Sequence, residues 1–168
     1  MEQPTVFNLL AASGPFTDYA EKLMLYGQFV GAWKIEVNWF DKSGDVTKKE
    51  KGEWYFDWIL GGRGIQDVLF RLNSPRDQYG TTLRCYDPLI DAWHITWMRP
   101  NSGEFSNLIA RRIGDRIVQE GLAIDYLHRD RWSFVDITPN SFRWLGEFST
   151  DRGATWQLEE EINCVRKS

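Results

Sequence analysis

The stretch from Gly31 to Phe40, GAWKIEVNWF, decides the fold class of this chain. Its odd-numbered positions carry Trp33, Ile35, Val37 and Trp39, and the even positions between them carry lysine, glutamate and asparagine. Successive side chains of a β-strand point to opposite faces, so this period of two predicts a strand with one buried face. We therefore expect sheet structure from residue 31 onward.

Similar segments recur along the rest of the chain and are separated by short turns. Residues typical of turns fall at 41–45, 61–62, 73–80, 87–91, 99–103, 114–115, 128–130, 138–140 and 151–153. The spacing predicts an up-and-down antiparallel meander of about ten strands, an all-β fold. Such a meander forms either a sandwich or a closed β-barrel, and closure has the advantage of removing exposed strand edges.

A short N-terminal helix is expected before the first strand. Residues 15–31 place Leu23, Tyr26 and Val30 at near-helical spacing, and Thr17 is a candidate N-cap. This helix is expected to cover part of the barrel.

The size and composition are those of one ordinary globular domain. The chain has 168 residues, of which 26% are charged and 42% hydrophobic, and one core serves about 100 to 200 residues. We expect a single domain over residues 1–168, with a helical segment at 1–30 and the barrel at 31–166. A net charge of -4 provides no basic field for a polyanion, so nucleic acid is not an expected partner.

No apolar run approaches the length of about 18 residues that crosses a bilayer, and residues 1–12 do not resemble a signal peptide. The expected location is the cytoplasm, without a membrane partner. Cys85 and Cys164 are far apart and are expected to be reduced thiols. The chain has only two histidines and contains no metal-binding, phosphate-binding or dinucleotide-binding motif, so no metal or cofactor is expected.

The segment Gly31-Ala32-Trp33, which follows a predicted helix and opens an alternating strand, resembles the Gly-x-Trp opening of the calycin superfamily of lipocalin-like barrels. The ten-strand pattern extends this resemblance over residues 31–166. It implies that Trp33 closes the floor of the barrel and that Arg166, from the last strand, lies across it. Without a secretory signal or a disulfide pattern, the chain is more similar to cytoplasmic fatty-acid-binding or nitrobindin-like barrels than to secreted lipocalins.

Aromatic residues make up 15% of the chain, including nine tryptophans. Flat side chains fill cores, but they also line cavities in which their faces contact a ligand. We predict that the barrel binds a small, largely apolar or aromatic molecule and that Trp54, Trp58, Trp97 and Trp144 wall the cavity.

Asp67 and Arg111 are candidates for fixing the polar end of such a ligand. An inward Asp67 would be either a desolvated carboxyl group suited to acid or base chemistry, or the partner of Arg84, Arg111 or Arg112 in a salt bridge. Arg111 could bind a carboxylate, enolate or phenolate if its face is internal, and Arg112 takes this role in the opposite register.

His94 is a third candidate for chemistry because histidine exchanges protons near neutral pH. The alternation predicts an outward position, opposite to the inward face of Trp93, Ile95 and Trp97, which also disfavours an axial haem ligand. Asp67, His94 and Arg111 would be the catalytic groups of an alternative function, a cofactor-independent cyclase or isomerase acting on a flexible polyketide-like or terpenoid-like substrate. A third possibility is an interaction module that forms a homodimer.

The segment Ser149-x-Asp151-x-Gly153-x-Thr155-Trp156 resembles the Asp-box hairpin of sialidase-type propellers. It occurs once and no blade-length repeat accompanies it, so it predicts a rigid turn and not a propeller.

Overall fold

The computed structural model describes residues 3–122 and 128–168 and contains a closed antiparallel β-barrel. Each strand pairs with the next in sequence, and the first strand pairs with the last, which closes the sheet. The predicted fold class is confirmed. The ten strands are β1 Gly31–Phe40, β2 Val46–Ile59, β3 Gly64–Arg71, β4 Gly80–Asp87, β5 Ala92–Arg99, β6 Glu104–Ile113, β7 Arg116–Leu122, β8 Arg129–Val135, β9 Ser141–Ser149 and β10 Gln157–Arg166.

Two short helices precede the barrel: α1 Val6–Leu10 and α2 Ala20–Gly27, the latter entered through a 3₁₀ turn at Thr17–Tyr19. The helix predicted over 15–31 is therefore shorter than expected, and the Thr17 side chain does not cap it. After α2, the backbone carbonyls of Gln28 and Val30 accept hydrogen bonds from Arg166.

Sequence reasoning missed helix α1 altogether. The signal was present as a reciprocal capping box, in which the Thr5 side chain accepts from the Asn8 backbone N–H while the Asn8 side chain accepts from the Thr5 N–H. Among residues 3–122 and 128–168, no helix has the length and hydrophobicity needed to span a membrane.

We call the two ends of the barrel the closed end and the mouth. The closed end carries α2 and the connections at 60–63, 88–91, 114–115 and 136–140, whereas the described connections at the mouth are 41–45, 72–79, 100–103 and 150–156. At the closed end, the Trp33 Nε1 donates to the Phe29 carbonyl at 2.7 Å. The Arg166 guanidinium lies 4.1 Å from the Trp33 ring centroid and donates to the carbonyls of Gln28, Val30 and Pro139. The arrangement that the Gly-x-Trp resemblance implied is therefore present.

Aromatic side chains fill the closed end. The Phe29 ring centroid lies 4.8 Å from that of Phe134 and 4.7 Å from that of Phe142. Tyr26 lies 4.9 Å from Trp93 in an edge-on contact and donates to the Gln119 side chain at 2.9 Å. These packed rings make the closed end a filled hydrophobic core. Each ring pair contributes about 0.5 to 1.5 kcal/mol beyond its burial.

Two glycines make room for indoles in the mouth half of the barrel. A Cβ atom at Gly80 would lie 1.9 Å from the Trp97 ring, and one at Gly146 would lie 2.8 Å from the Trp144 ring. Since no side chain can share this space, these indoles lie directly against the backbone of β4 and β9.

The Asp-box segment forms the rigid turn that its pattern predicts. Asp151 accepts hydrogen bonds from the Thr155 backbone N–H at 2.8 Å and from the Thr155 hydroxyl at 2.6 Å, and these bonds lower the pKa of Asp151 to about 2. Gly153 adopts a positive φ of 91°, and the Trp156 ring lies under the Arg131 guanidinium.

Both cysteines are free thiols. Cys164 is buried and Cys85 is partly buried.

Candidate ligand cavity

A cavity of about 460 Å³ occupies the mouth half of the barrel. Five of the nine tryptophans line it, together with the aliphatic side chains of Leu69 and Ile162. The five are Trp39, Trp54, Trp97, Trp132 and Trp144. Flat aromatic rings thus form a large part of the wall, beside seven charged side chains.

The alternation of the strands aims these indoles inward. Trp54 on β2 is buried between the rings of Phe56 and Phe134, with centroid distances of 4.8 and 5.9 Å. Trp132 on β8 and Trp144 on β9 lie beside each other at 5.6 Å. Rings fixed by such neighbours present preformed faces to the cavity.

The floor of the cavity is a buried ion pair between Arg84 on β4 and Asp67 on β3, both about 2% exposed or less. Arg84 Nη1 donates to Asp67 Oδ2, and Asp67 Oδ1 accepts from the Thr82 backbone N–H at 2.9 Å. The Arg84 guanidinium also lies over the faces of Tyr26 and Phe56, at 5.2 and 5.3 Å. Of the two alternatives for Asp67, the structure shows the salt bridge to Arg84.

Two N–H groups at this floor, Trp54 Nε1 and Arg84 Nε, have no hydrogen-bond partner among residues 3–122 and 128–168. Both atoms are buried, and leaving such a donor unpaired costs about 1 to 3 kcal/mol. A ligand that carried an oxygen acceptor to the floor would recover part of this cost.

Charged side chains from five strands point inward near the mouth. Arg71 Nη2 donates to Glu160 at 2.7 Å, and its Nε lies 3.7 Å from Glu50. On another part of the wall, Arg99 donates to Glu104 at 3.3 Å. Two lining indoles join these clusters, since Trp39 Nε1 donates to Glu50 at 2.8 Å and Trp97 Nε1 donates to Glu104 at 3.2 Å.

Glu160 is the most perturbed of these carboxyl groups. Burial raises its pKa to about 7, and repulsion from Glu104 and Glu159 adds to the effect, while attraction to Arg71 and Arg99 opposes it. Glu160 therefore exchanges a proton with solvent near neutral pH.

Three of the four predicted wall residues, Trp54, Trp97 and Trp144, line the cavity. Trp58 does not. It shares the inward face of β2 with Trp54 but lies nearer the closed end, where a Cβ at Gly27 of α2 would come within 2.5 Å of its ring. Helix α2 fills this level of the barrel and leaves no space beside Trp58.

The structure does not bring the three candidate catalytic residues together. Asp67 is inside, whereas His94 is exposed on the outer face, with its Nε2 3.0 Å from Asp87 Oδ2. Arg111 is also exposed, so its face is not the internal one. Arg112 is exposed too, and its Nε donates to the Gly114 carbonyl at the end of the strand. A catalytic role for Asp67, His94 or Arg111 stays a prediction.

Sequence reasoning did not select Arg84 as a site residue, or Trp39, Trp132 and Glu160. For Arg84, the available signal was its position in the strand: alternate residues of β4 share a face, so Arg84 lies on the same face as Thr82 and Tyr86. Glu160 was hidden because an irregularity between Leu158 and Glu160 shifts the register of β10.

No known family model matches the sequence, nor does any curated protein. Among solved structures, the barrel is similar to an S-type phycobiliprotein lyase from Guillardia theta, with a TM-score of 0.59 at 8% identity over 92% of this chain and 99% of that one. A redesigned β-barrel bound to DFHBI gives a TM-score of 0.35 at 10% identity, over 83% of this chain and 95% of that one. At such identities the first likeness shows the fold alone, a closed antiparallel β-barrel.

Proposed function

We propose that the barrel binds one small, flat and largely apolar molecule in the cavity at its mouth. The observation that carries this proposal is the convergence of five of the nine tryptophans on a single hollow of about 460 Å³. Cavities that hold small molecules measure about 300 to 1,000 Å³ and are lined mostly by aromatic and aliphatic side chains.

The unequal use of the two barrel halves supports the proposal. The sequence fills the closed end with aromatic rings, yet Gly80 and Gly146 in the mouth half leave their space to indoles that border a hollow.

The unpaired donors of Trp54 and Arg84 favour a ligand with an oxygen acceptor at its inner end. A molecule with an apolar body and an oxygen at one end would place its body between the indoles and its oxygen at the floor. Indoles contact planar rings by offset or edge-on stacking, which favours a conjugated body over a flexible chain.

Nile red, an uncharged planar dye, tests the proposal by fluorescence titration. The wild-type protein is expected to bind it with quenching of tryptophan emission. Ser106→Trp places a large side chain on the inward face of β6, where Ser106 lines the cavity, and is expected to weaken binding at least about tenfold, a loss of about 1.4 kcal/mol.

The matched control is Asn107→Trp, which adds the same side chain on the outward face of the same strand, where Asn107 is exposed. This variant is expected to bind Nile red like the wild type. Equal binding by both variants, or no binding by any of the three proteins, would contradict the proposal. If the variants behave as expected, native mass spectrometry of protein purified from its natural source would give the mass of the bound compound.

A further inference from the structure

The charged and polar groups around the cavity indicate which class of ligand it would bind, provided that the proposed binding function holds. We infer that the cavity selects an uncharged conjugated molecule whose polar groups are oxygen acceptors, such as the carbonyl of a coumarin, flavone or quinone, and that it rejects carboxylates.

The first observation is the character of the unpaired polar atoms. Trp54, Arg84 and Arg99, which line the cavity, have buried N–H groups without a partner in the described part of the chain. Every one of these atoms is a donor, so the wall offers N–H groups and needs acceptors from whatever it binds.

The second observation concerns charge. Asp130, Glu104, Glu147, Glu159 and Glu160 line the cavity, against the two arginines Arg84 and Arg99. Of these carboxylates, Glu147 is paired with Arg131 at 2.8 Å. Arg84 is neutralised by Asp67, and Arg99 by Glu104. The remaining arginine behind the wall, Arg71, is shared between Glu160 and Glu50. No guanidinium in this set is left with a full positive charge for an anionic ligand.

The third observation is the state of Glu160 itself. Arg71 on β3 and Arg99 on β5 face it, and so do Glu104 on β6 and the neighbouring Glu159, and the balance still leaves its pKa raised to about 7. A site in which burial keeps a resident carboxyl group about half protonated at pH 7 opposes a second negative charge. The acceptor that the donors need is therefore a neutral oxygen.

Two coumarins of nearly equal size and shape, one uncharged and one anionic, test this inference: 7-(diethylamino)coumarin-3-carboxamide and the corresponding 3-carboxylate. At about pH 8, where Glu160 is ionised, the carboxamide is expected to bind at least about tenfold more tightly. The difference is expected to narrow at about pH 6, because protonation of Glu160 removes a repelling charge, while carboxamide binding stays constant.

Glu160→Gln is expected to remove this pH dependence by strengthening carboxylate binding at about pH 8 to its value at about pH 6. Glu104→Gln removes a second cavity carboxylate on a different strand, so it tests the same effect on carboxylate binding if Glu160→Gln folds poorly. The control is Glu36→Gln, an exposed carboxylate on the outer face of β1, which is expected to leave the discrimination unchanged.

Equal or tighter binding of the carboxylate at about pH 8 would overturn the inference, and so would discrimination that Glu160→Gln and Glu104→Gln both leave intact. Nile red separates the two levels of the argument. If it binds and neither coumarin does, or if both coumarins bind equally, the ligand class is wrong and the binding function stands. If no dye binds, the binding function itself fails.

Discussion

The closed end and the mouth of this barrel use the same residue types in opposite ways. At the closed end the Trp33 N–H is bonded to a backbone carbonyl and the Arg166 guanidinium donates to three, whereas at the cavity floor Trp54 Nε1 and Arg84 Nε have no partner. Tryptophan and arginine therefore do not mark a site by themselves. The difference is whether the protein supplies the partners of their polar atoms.

The largest expected effect comes from breaking the closed end. Trp33→Ala removes a fully buried indole that packs under Arg166 and is expected to lower the free energy of unfolding by about 3 to 5 kcal/mol. Chemical denaturation followed by circular dichroism measures this. Trp156→Ala, which removes a half-buried indole from the turn at the mouth, serves as the control. A similar loss in both variants would show that stability does not depend mainly on the closed end.

The second prediction concerns how much the ion pair at the cavity floor contributes to stability. Arg84→Met leaves Asp67 as an unpaired buried carboxylate and is expected to cost about 3 kcal/mol of unfolding free energy, because single removal from a buried pair exposes the full desolvation penalty. The double variant with Asp67→Asn is expected to recover at least about half of this loss. Full additivity of the two changes in a double-mutant cycle would mean that the pair contributes nothing as a pair.

Glu160 predicts an unusual dependence of stability on pH. Its pKa in the folded protein, about 7, lies above the ordinary value of 4.5, so the folded state retains the proton more strongly than the unfolded state. The contribution of this group is fully present below pH 4.5 and is lost as the pH rises to about 7, with a total on the order of 1 to 3 kcal/mol. Urea titrations across this range would show the decline in wild type. Glu160→Gln should flatten it, and a decline of equal size in the variant would assign it to other groups.

The smallest effect is expected from deleting the unpaired donor itself. Trp54→Phe removes an N–H that bonds to nothing, so it is expected to change the free energy of unfolding by less than about 1 kcal/mol. Trp33→Phe deletes a donor that is bonded to the Phe29 carbonyl and is expected to cost about 1 kcal/mol more than Trp54→Phe. Equal losses in thermal or chemical unfolding would remove the distinction between the two ends.

The period of two along the sequence was enough to predict the barrel, because ten half-buried strands with short turns have few ways to bury their apolar faces. It also placed Trp54, Trp97 and Trp144 on inward faces. It could not give the level of a side chain along the barrel axis. Trp54 and Trp58 share a face, and only the position of α2 decides that one borders a cavity and the other a helix.

The polar residues were harder to predict, since several strands carry both apolar and charged side chains on each face. On β6 the inward row contains Leu108 and Ala110, while the outward row contains Ile109 beside Arg111, so hydrophobicity alone did not reveal the register. The chain of ion pairs through Glu50, Arg71 and Glu160 joins β2 and β3 to β10, which lies far from them in sequence. Such contacts exist only once the sheet has closed.

The pairing of β1 with β10 has a consequence for how this protein is made. Trp33 lies opposite Arg166, so the contact that seals the barrel joins two ends of the sheet that leave the ribosome far apart in time. Loop-closure entropy makes such long-range pairing slow, and we expect folding in milliseconds to seconds rather than microseconds. Until Arg166 has been synthesised and released from the exit tunnel, the nascent chain can form a curved ribbon but has no enclosed interior.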